Sequence, residues 1–242
     1  MLKTSRTETD AEAFVQRLTL KEKVALTATV DWWCTAKFKW DGVYLPQIKL
    51  SVLRIISRVW EVLSYAFLDL MTDRMEPVAR ALLRWRRGVK TRMWSQPREI
   101  LGGSARTGYD GRLIYNGCQS AGVAATPKHF VANKIEKRRR FLTAQVDERA
   151  LRELFFYPFQ LILKHSDPWC FMTSHSRVKG TYTSESPYLI QGILRNEWGF
   201  KRLVMSDWVG TYYAAAMNAG LVLEMPGPTI FLTSELETQV YL

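Results

Sequence analysis

From about residue 111 onward, short apolar runs alternate with longer amphipathic stretches, and that alternation restricts the chain to few folds. The runs cover residues 122–126, 169–173, 203–205 and 221–223. Between them the pattern predicts three helices. The first, DERALRELFFYPFQLILKH, puts Leu151, Leu154, Phe155, Phe159 and Ile162 on one face, with Pro158 expected to kink it. The others cover residues 186–198 and 212–218. Buried strands separated by helices predict a parallel sheet with right-handed crossovers. No glycine-rich phosphate loop follows any run, so a (β/α) barrel, or part of one, fits better than a dinucleotide-binding fold.

Before residue 111 the texture differs. AEAFVQRLTLKEKVALTA, residues 11–28, suits short helices, the second capped by Thr19 with Glu22 at its third position. Residues 48–50 are a possible strand. VLRIISRVWEVLSYAFLDLM, from Val52, is apolar enough to suggest a membrane span. Arg54, Arg58 and Glu61 interrupt it, and a charge at a bilayer centre costs about 2.5–3.5 kcal/mol. An amphipathic or buried helix is the expectation. Residues 52–110 carry eleven Arg or Lys against six Asp or Glu, in no periodic pattern.

The net charge of +11 raises the question of nucleic acid. Five of that surplus come from 52–110, and four more charges from the run Lys137, Arg138, Arg139, Arg140. No RNA-binding aromatic pattern, helix-turn-helix or Cys/His finger accompanies them, so the run at 137–140 is expected to be a solvated face. Cys34, Cys118 and Cys170 form neither a CxxC pair nor a disulfide framework, and three histidines offer no spaced ligand set, so no metal is expected. The polar opening MLKTSRTETDAEAF lacks a signal-peptide core, which predicts a cytoplasmic chain, or a secreted one if the N-terminus is incomplete.

In α/β barrels the chemistry sits where strands end. Three such places carry polar groups: Lys128 and His129, His175, and Asp207 followed by Trp208. A carboxylate beside an indole has the parts for attack on an anomeric carbon against an apolar ring face. An Asp there is equally suited to cap a following helix. Lys128 and His129 can donate to hydroxyls, and a lysine near Asp207 would help keep it ionised. Adjacent residues on an extended chain point in different directions, so a surface lysine beside a core histidine is the competing reading. The same holds for His175.

TLKEKVALTATVDWW, ATPKHFVAN at 125–133, VDERALRELFFYPFQL at 146–161, MTSHSRVKGTYTSESPYLIQGILRNEWGF at 172–200, LVMSDWVGTY from 203 and NAGLVLEMPGPT to 229 occur in one order. Together they resemble the N-terminal barrel of fungal β-glucosidases of glycoside hydrolase family 3, over about residues 12–51 and 111–229. The resemblance implies a single domain over 1–242, a (β/α)8 TIM-like barrel, incomplete or distorted. It implies retaining hydrolysis of terminal β-D-glucosyl units from a small β-glucoside or oligosaccharide, with no cofactor, metal, nucleic acid or membrane. Asp207 matches the nucleophile, Lys128 and His129 the pair that bonds the terminal sugar, and Trp208 the aromatic wall. The general acid/base belongs in that family to a separate α/β sandwich, and the chain stops at Leu242 before one; Glu224 is not at the matching position.

The departures from the family pattern are specific. Val52, Leu53 and Arg54 stand where Asp-Gly-Pro is expected, and a Gly-Arg-x-Phe/Trp-Glu segment is missing before residue 111. His175 and Ser176 replace Tyr-Asn, Val222 an Asp, Lys134 an acidic or amide residue, and Cys34 a histidine. Residues 52–110 read as a shifted frame or retained intron, and the chain as a fragment of little or no turnover. Three other readings follow from the same residues. One is a non-catalytic carbohydrate-binding remnant using Lys128, His129 and Trp208; another is a basic nucleic-acid or membrane-surface binder. The third is an open barrel that does not fold stably.

Overall fold

The computed structural model describes residues 13, 15–32, 34–35, 115–116, 119, 124–133, 135 and 137–228, together with four strand backbones before residue 71. Helix α1, Leu20–Leu26, is closed at its start by the expected capping box. The Thr19 hydroxyl accepts from the Glu22 amide, and the Glu22 carboxylate accepts from the Thr19 amide at 2.8 Å. Strands β1 (Phe38–Trp40) and β2 (Val43–Leu45) form an antiparallel pair. β3 (Lys49–Val52) pairs antiparallel with β4 (Phe67–Leu70), which pairs antiparallel with β5 (Ala124–Thr126).

β4 corrects the sequence reading twice. Its residues were expected in a helix, and its direction breaks an all-parallel sheet. A short apolar run satisfies strand and helix periodicity alike, so pairing with two neighbouring strands decides the outcome. The remainder of the basic segment, 53–66 and 71–110, lies outside the described residues, as do the departures at Leu53, Arg54 and Lys134.

After β5 the expected runs at 169–173 and 203–205 appear as strands, but an unexpected three-stranded sheet over 143–182, part of it antiparallel, interrupts the parallel alternation. β6 (Thr143–Ala144) leads to α2, which runs unbroken as Glu148–Ala150, a π-type stretch Leu151–Phe156, and Tyr157–Ser166. Pro158 falls in the first turn of the last stretch, so the expected kink appears as a change of winding just before the proline. Wider winding also rotates Leu154 off the buried face. It is exposed, while Leu151, Phe156, Phe159 and Ile162 are buried. β7 (Cys170–Met172) follows, then β8 (Arg177–Val178), β9 (Thr181–Tyr182), the π-type helix α3 (Tyr188–Glu197) and β10 (Leu203–Met205). The helix expected over 212–218 is reduced to one 3-10 turn, Ala214–Ala216, because seven residues scarcely repay helix nucleation.

β7 and β10 lie side by side in parallel. Parallel bridges extend this pair on both sides, from Thr173 to Phe130 and from Met205 to Leu223, and Glu224 continues to Ala28. Thus α1 is followed by the edge of one curved parallel arc that ends at Phe130. Among the described residues the arc does not close into a barrel. The run at 221–223 contributes its third residue to the arc, held where the Ser206 amide donates to the Leu223 carbonyl at 3.0 Å.

Behind the arc sits an aromatic core. Phe130 is fully buried, with ring centroids 5.8 Å from Phe156, 5.3 Å from Phe159, and 5.8 Å from both Phe171 and Trp198. Its amide donates to the Met172 carbonyl at 2.7 Å, and its carbonyl accepts from the Ser174 amide at 3.0 Å. Phe130 therefore anchors the segment carrying Lys128 and His129 to the one carrying His175. Phe130→Ala is expected to lower the unfolding free energy by about 3–5 kcal/mol, read from urea denaturation curves.

Candidate active site

Three of the polar residues singled out at strand ends, His129, His175 and Asp207, come together. β10 ends at Met205, and the fully buried Ser206 is tied to the next strand position, its hydroxyl accepting from the Met225 amide at 2.9 Å. Asp207 comes next and begins a tight turn in which the Gly210 amide donates to its carbonyl at 2.9 Å. A Cβ on residue 210 would sit 2.9 Å from that same oxygen, so the turn needs glycine. Asp207 is not a helix cap. Its Oδ1 accepts from the Trp208 amide at 2.7 Å, and the following 3-10 turn starts only at Ala214.

Oδ2 of Asp207 faces two imidazoles. His129 Nε2 and His175 Nε2 each lie 3.3 Å from it. His129 Nδ1 is 3.4 Å from the Asn133 amide nitrogen, and His175 Nδ1 is 3.4 Å from the Tyr212 hydroxyl. The Asn133 amide nitrogen is a donor, which places the His129 proton on Nε2; the Tyr212 hydroxyl fits either tautomer of His175. Among the described residues no group of His, Cys, Asp and Glu side chains is arranged to hold a metal ion.

Lys128 is buried as well. It and His129 leave β5 on irregular backbone, so strand alternation does not apply and Asp207 acts electrostatically on both. Burial pushes the Lys128 ammonium down to about 8; the nearby Asp207 opposes that shift, and Arg139 adds to it. Burial likewise pushes His129 down to about 3 against the pull of Asp207, with Lys128, Arg139 and His175 reinforcing the fall. His175 is also lowered to about 3, by burial first and then by Arg139 and Arg140. The site is one carboxylate, one buried ammonium and two neutral imidazoles. Such a set can orient hydroxyl groups and stabilise developing positive charge at a carbon.

Trp208 is half-buried and packs against the cluster of Ala124, Cys170, Met172, Met205, Leu223 and Met225. Lys128, His129 and Asp207 thus come to one strand-end region, with Trp208 next to Asp207 in the chain. Two more belong with them. His175 carried no role in the sequence reading; its position after β7, matching Asp207 after β10, was the available signal. Arg139 lies in the basic run read as a solvated face. Lys137, Arg138 and Arg140 are exposed, but Arg139 is half-buried and its charge reaches Lys128 and both imidazoles. A charge run reads as solvated because sequence does not show which member turns inward.

Residues 84–224 match the family model of the glycosyl hydrolase family 3 N-terminal domain, more than half of the 242-residue chain. The chain belongs to glycoside hydrolase family 3. The match begins inside the basic segment. It is 37% identical over 227 residues to the probable β-glucosidase K of Aspergillus fumigatus, covering 93% of this chain and 28% of that protein. Over 116 residues it is 52% identical to the probable β-glucosidase J of Emericella nidulans, covering 48% of this chain and 14% of that one. The crystal structure of a β-glucosidase from Kluyveromyces marxianus in complex with glucose superposes with a TM-score of 0.73 at 28% identity, over 96% of this chain and 31% of that chain. The β-glucosidase 3B of Thermotoga neapolitana, at 24% identity and a TM-score of 0.69, shares the fold. This family 3 chain spans less than half of the length of these proteins.

Proposed function

We propose that this family 3 chain is the barrel part of a retaining β-glucosidase, with Asp207 as the nucleophile. The carrying observation is that a buried carboxylate ends β10 with Lys128 and His129 around it and an indole next in sequence. In the first step an Asp207 oxygen bonds to the anomeric carbon as the bond to the leaving oxygen breaks. The leaving oxygen needs a proton. Water then attacks the glucosyl ester, releasing glucose and restoring the carboxylate. Lys128 and His129 bond sugar hydroxyls, and Trp208 walls the ring. On this reading residues 1–242 form one barrel domain, and the general acid/base comes from a separate domain, as in the relatives of the resemblance. Acid assistance is worth about 10²–10⁴-fold, so the chain by itself hydrolyses poor leaving groups slowly.

An activated leaving group removes that need. Incubation with 2,4-dinitrophenyl 2-deoxy-2-fluoro-β-D-glucoside is expected to add one fluoroglucosyl group to the peptide containing Asp207, read by mass spectrometry. A folded protein that stays unlabelled, or is labelled on another peptide, would remove the assignment.

A further inference from the structure

His175 is fully buried, and the segment that carries it is fixed on all sides. The Ser174 hydroxyl donates to the Val131 carbonyl at 2.8 Å, the Ser174 amide donates to the Thr183 hydroxyl at 2.9 Å, and the Ser176 amide donates to Ser174 Oγ at 3.2 Å. The Tyr212 hydroxyl meeting His175 Nδ1 is itself held. Its ring stacks on Tyr182 at 3.7 Å, and the amides of Tyr212 and Tyr213 donate to the Glu185 carboxylate at 2.7 and 3.0 Å. Tyr182 is in turn fixed by the Arg177 guanidinium, which donates to its hydroxyl at 2.6 Å. This scaffold ends on one atom, His175 Nε2, 3.3 Å from Asp207 Oδ2.

We propose that His175 is a positioning residue for Asp207, its Nε2–H and that of His129 bracketing Oδ2 so that the carboxylate is held in one rotation. The proposal rests on the reading of Asp207 as the nucleophile. His175 occupies a position where the family resemblance implies tyrosine, so the bracket belongs to this chain. Neither contact has hydrogen-bond alignment, and Oδ2 and His175 Nε2 are buried with no hydrogen-bond partner. Such bonds are commonly long before a ligand closes the site. The charged and titratable groups acting on His175 or close to it are Asp207, His129, Tyr212, Arg139 and Arg140. The two arginines and burial keep the ring neutral. A neutral donor orients the carboxylate without the full charge compensation that an imidazolium would impose on a nucleophile.

The test compares fluoroglucosyl labelling of the wild type, His175→Phe and His175→Gln across pH, after equal melting temperatures confirm that the variants fold. His175→Phe, without a donor, is expected to label at least about tenfold more slowly and to shift the acidic limb of the rate profile toward neutral pH. His175→Gln, which keeps an N–H, is expected to stay within about threefold of wild type. A His175→Phe variant with the wild-type rate and limb would overturn the proposal. A second measurement does not need turnover: 15N spectra should show His175 neutral and protonated on Nε2 from pH 5 to 8, with that resonance moved by Asp207→Asn. A cationic ring at pH 6, the opposite tautomer, or no response to Asp207→Asn would overturn it. If the wild type never labels but the His175 resonance responds, the nucleophile reading fails and the bracket stands.

Discussion

Acidification from pH 7 to pH 4 is expected to remove a large share of the stability of this chain, through two histidines. Burial holds His129 and His175 near 3, against an ordinary value of 6.5. The sign follows from proton counting. Between pH 6.5 and 3 the unfolded chain binds a proton at each imidazole and the folded chain does not, so falling pH favours unfolding. Stability is complete above about pH 6.5 and drains away toward pH 3. At pH 4 the loss is roughly 3 kcal/mol for each ring, and the two are not additive because they share Asp207. Domains of this kind have about 5–15 kcal/mol in total. Urea midpoints measured at steps between pH 7 and pH 4 would show the fall, and the double variant His129→Gln, His175→Gln should flatten it. A curve of unchanged slope in that variant would place the acid sensitivity elsewhere.

Asp207→Asn is expected to abolish fluoroglucosyl labelling, a loss of at least about 10³-fold, because an amide oxygen does not form the glucosyl ester at a useful rate. The substitution keeps an acceptor for the Trp208 amide, so the turn from 207 to 210 should survive. It also removes the anion that opposes the effect of burial on Lys128, whose proton affinity should fall below about 8. The two consequences are read separately. Mass spectrometry follows the label, and amine-directed modification of Lys128 at pH 7.5 should become faster as more of the amine is neutral. Persistent labelling of D207N would show that another residue attacks.

The placement of Asp207 beside His175 illustrates what strand-end logic supplies. Residues just past apolar runs face the same end of an arc whenever the strands are parallel, and β7 and β10 are. Asp207 was legible for that reason, and the order of the quoted motifs carried the family. Two features were not legible. β4 runs antiparallel through a stretch with helical texture, and Arg139 turns inward from a run that looks solvated. In both cases a neighbour distant in sequence makes the choice.

The sequence by itself determined the strands within 169–173 and 203–205, the capping box at Thr19 and Glu22, and the residue types at the strand ends. These are local matters of periodicity, hydrogen-bonding chemistry and order. Only the tertiary structure decided that His175 joins His129 on Asp207 Oδ2, that Phe130 ties the two histidine segments together, and that burial leaves both rings neutral. Those facts depend on distance and desolvation between segments some thirty to eighty residues apart, and neither quantity is written in any one stretch of chain.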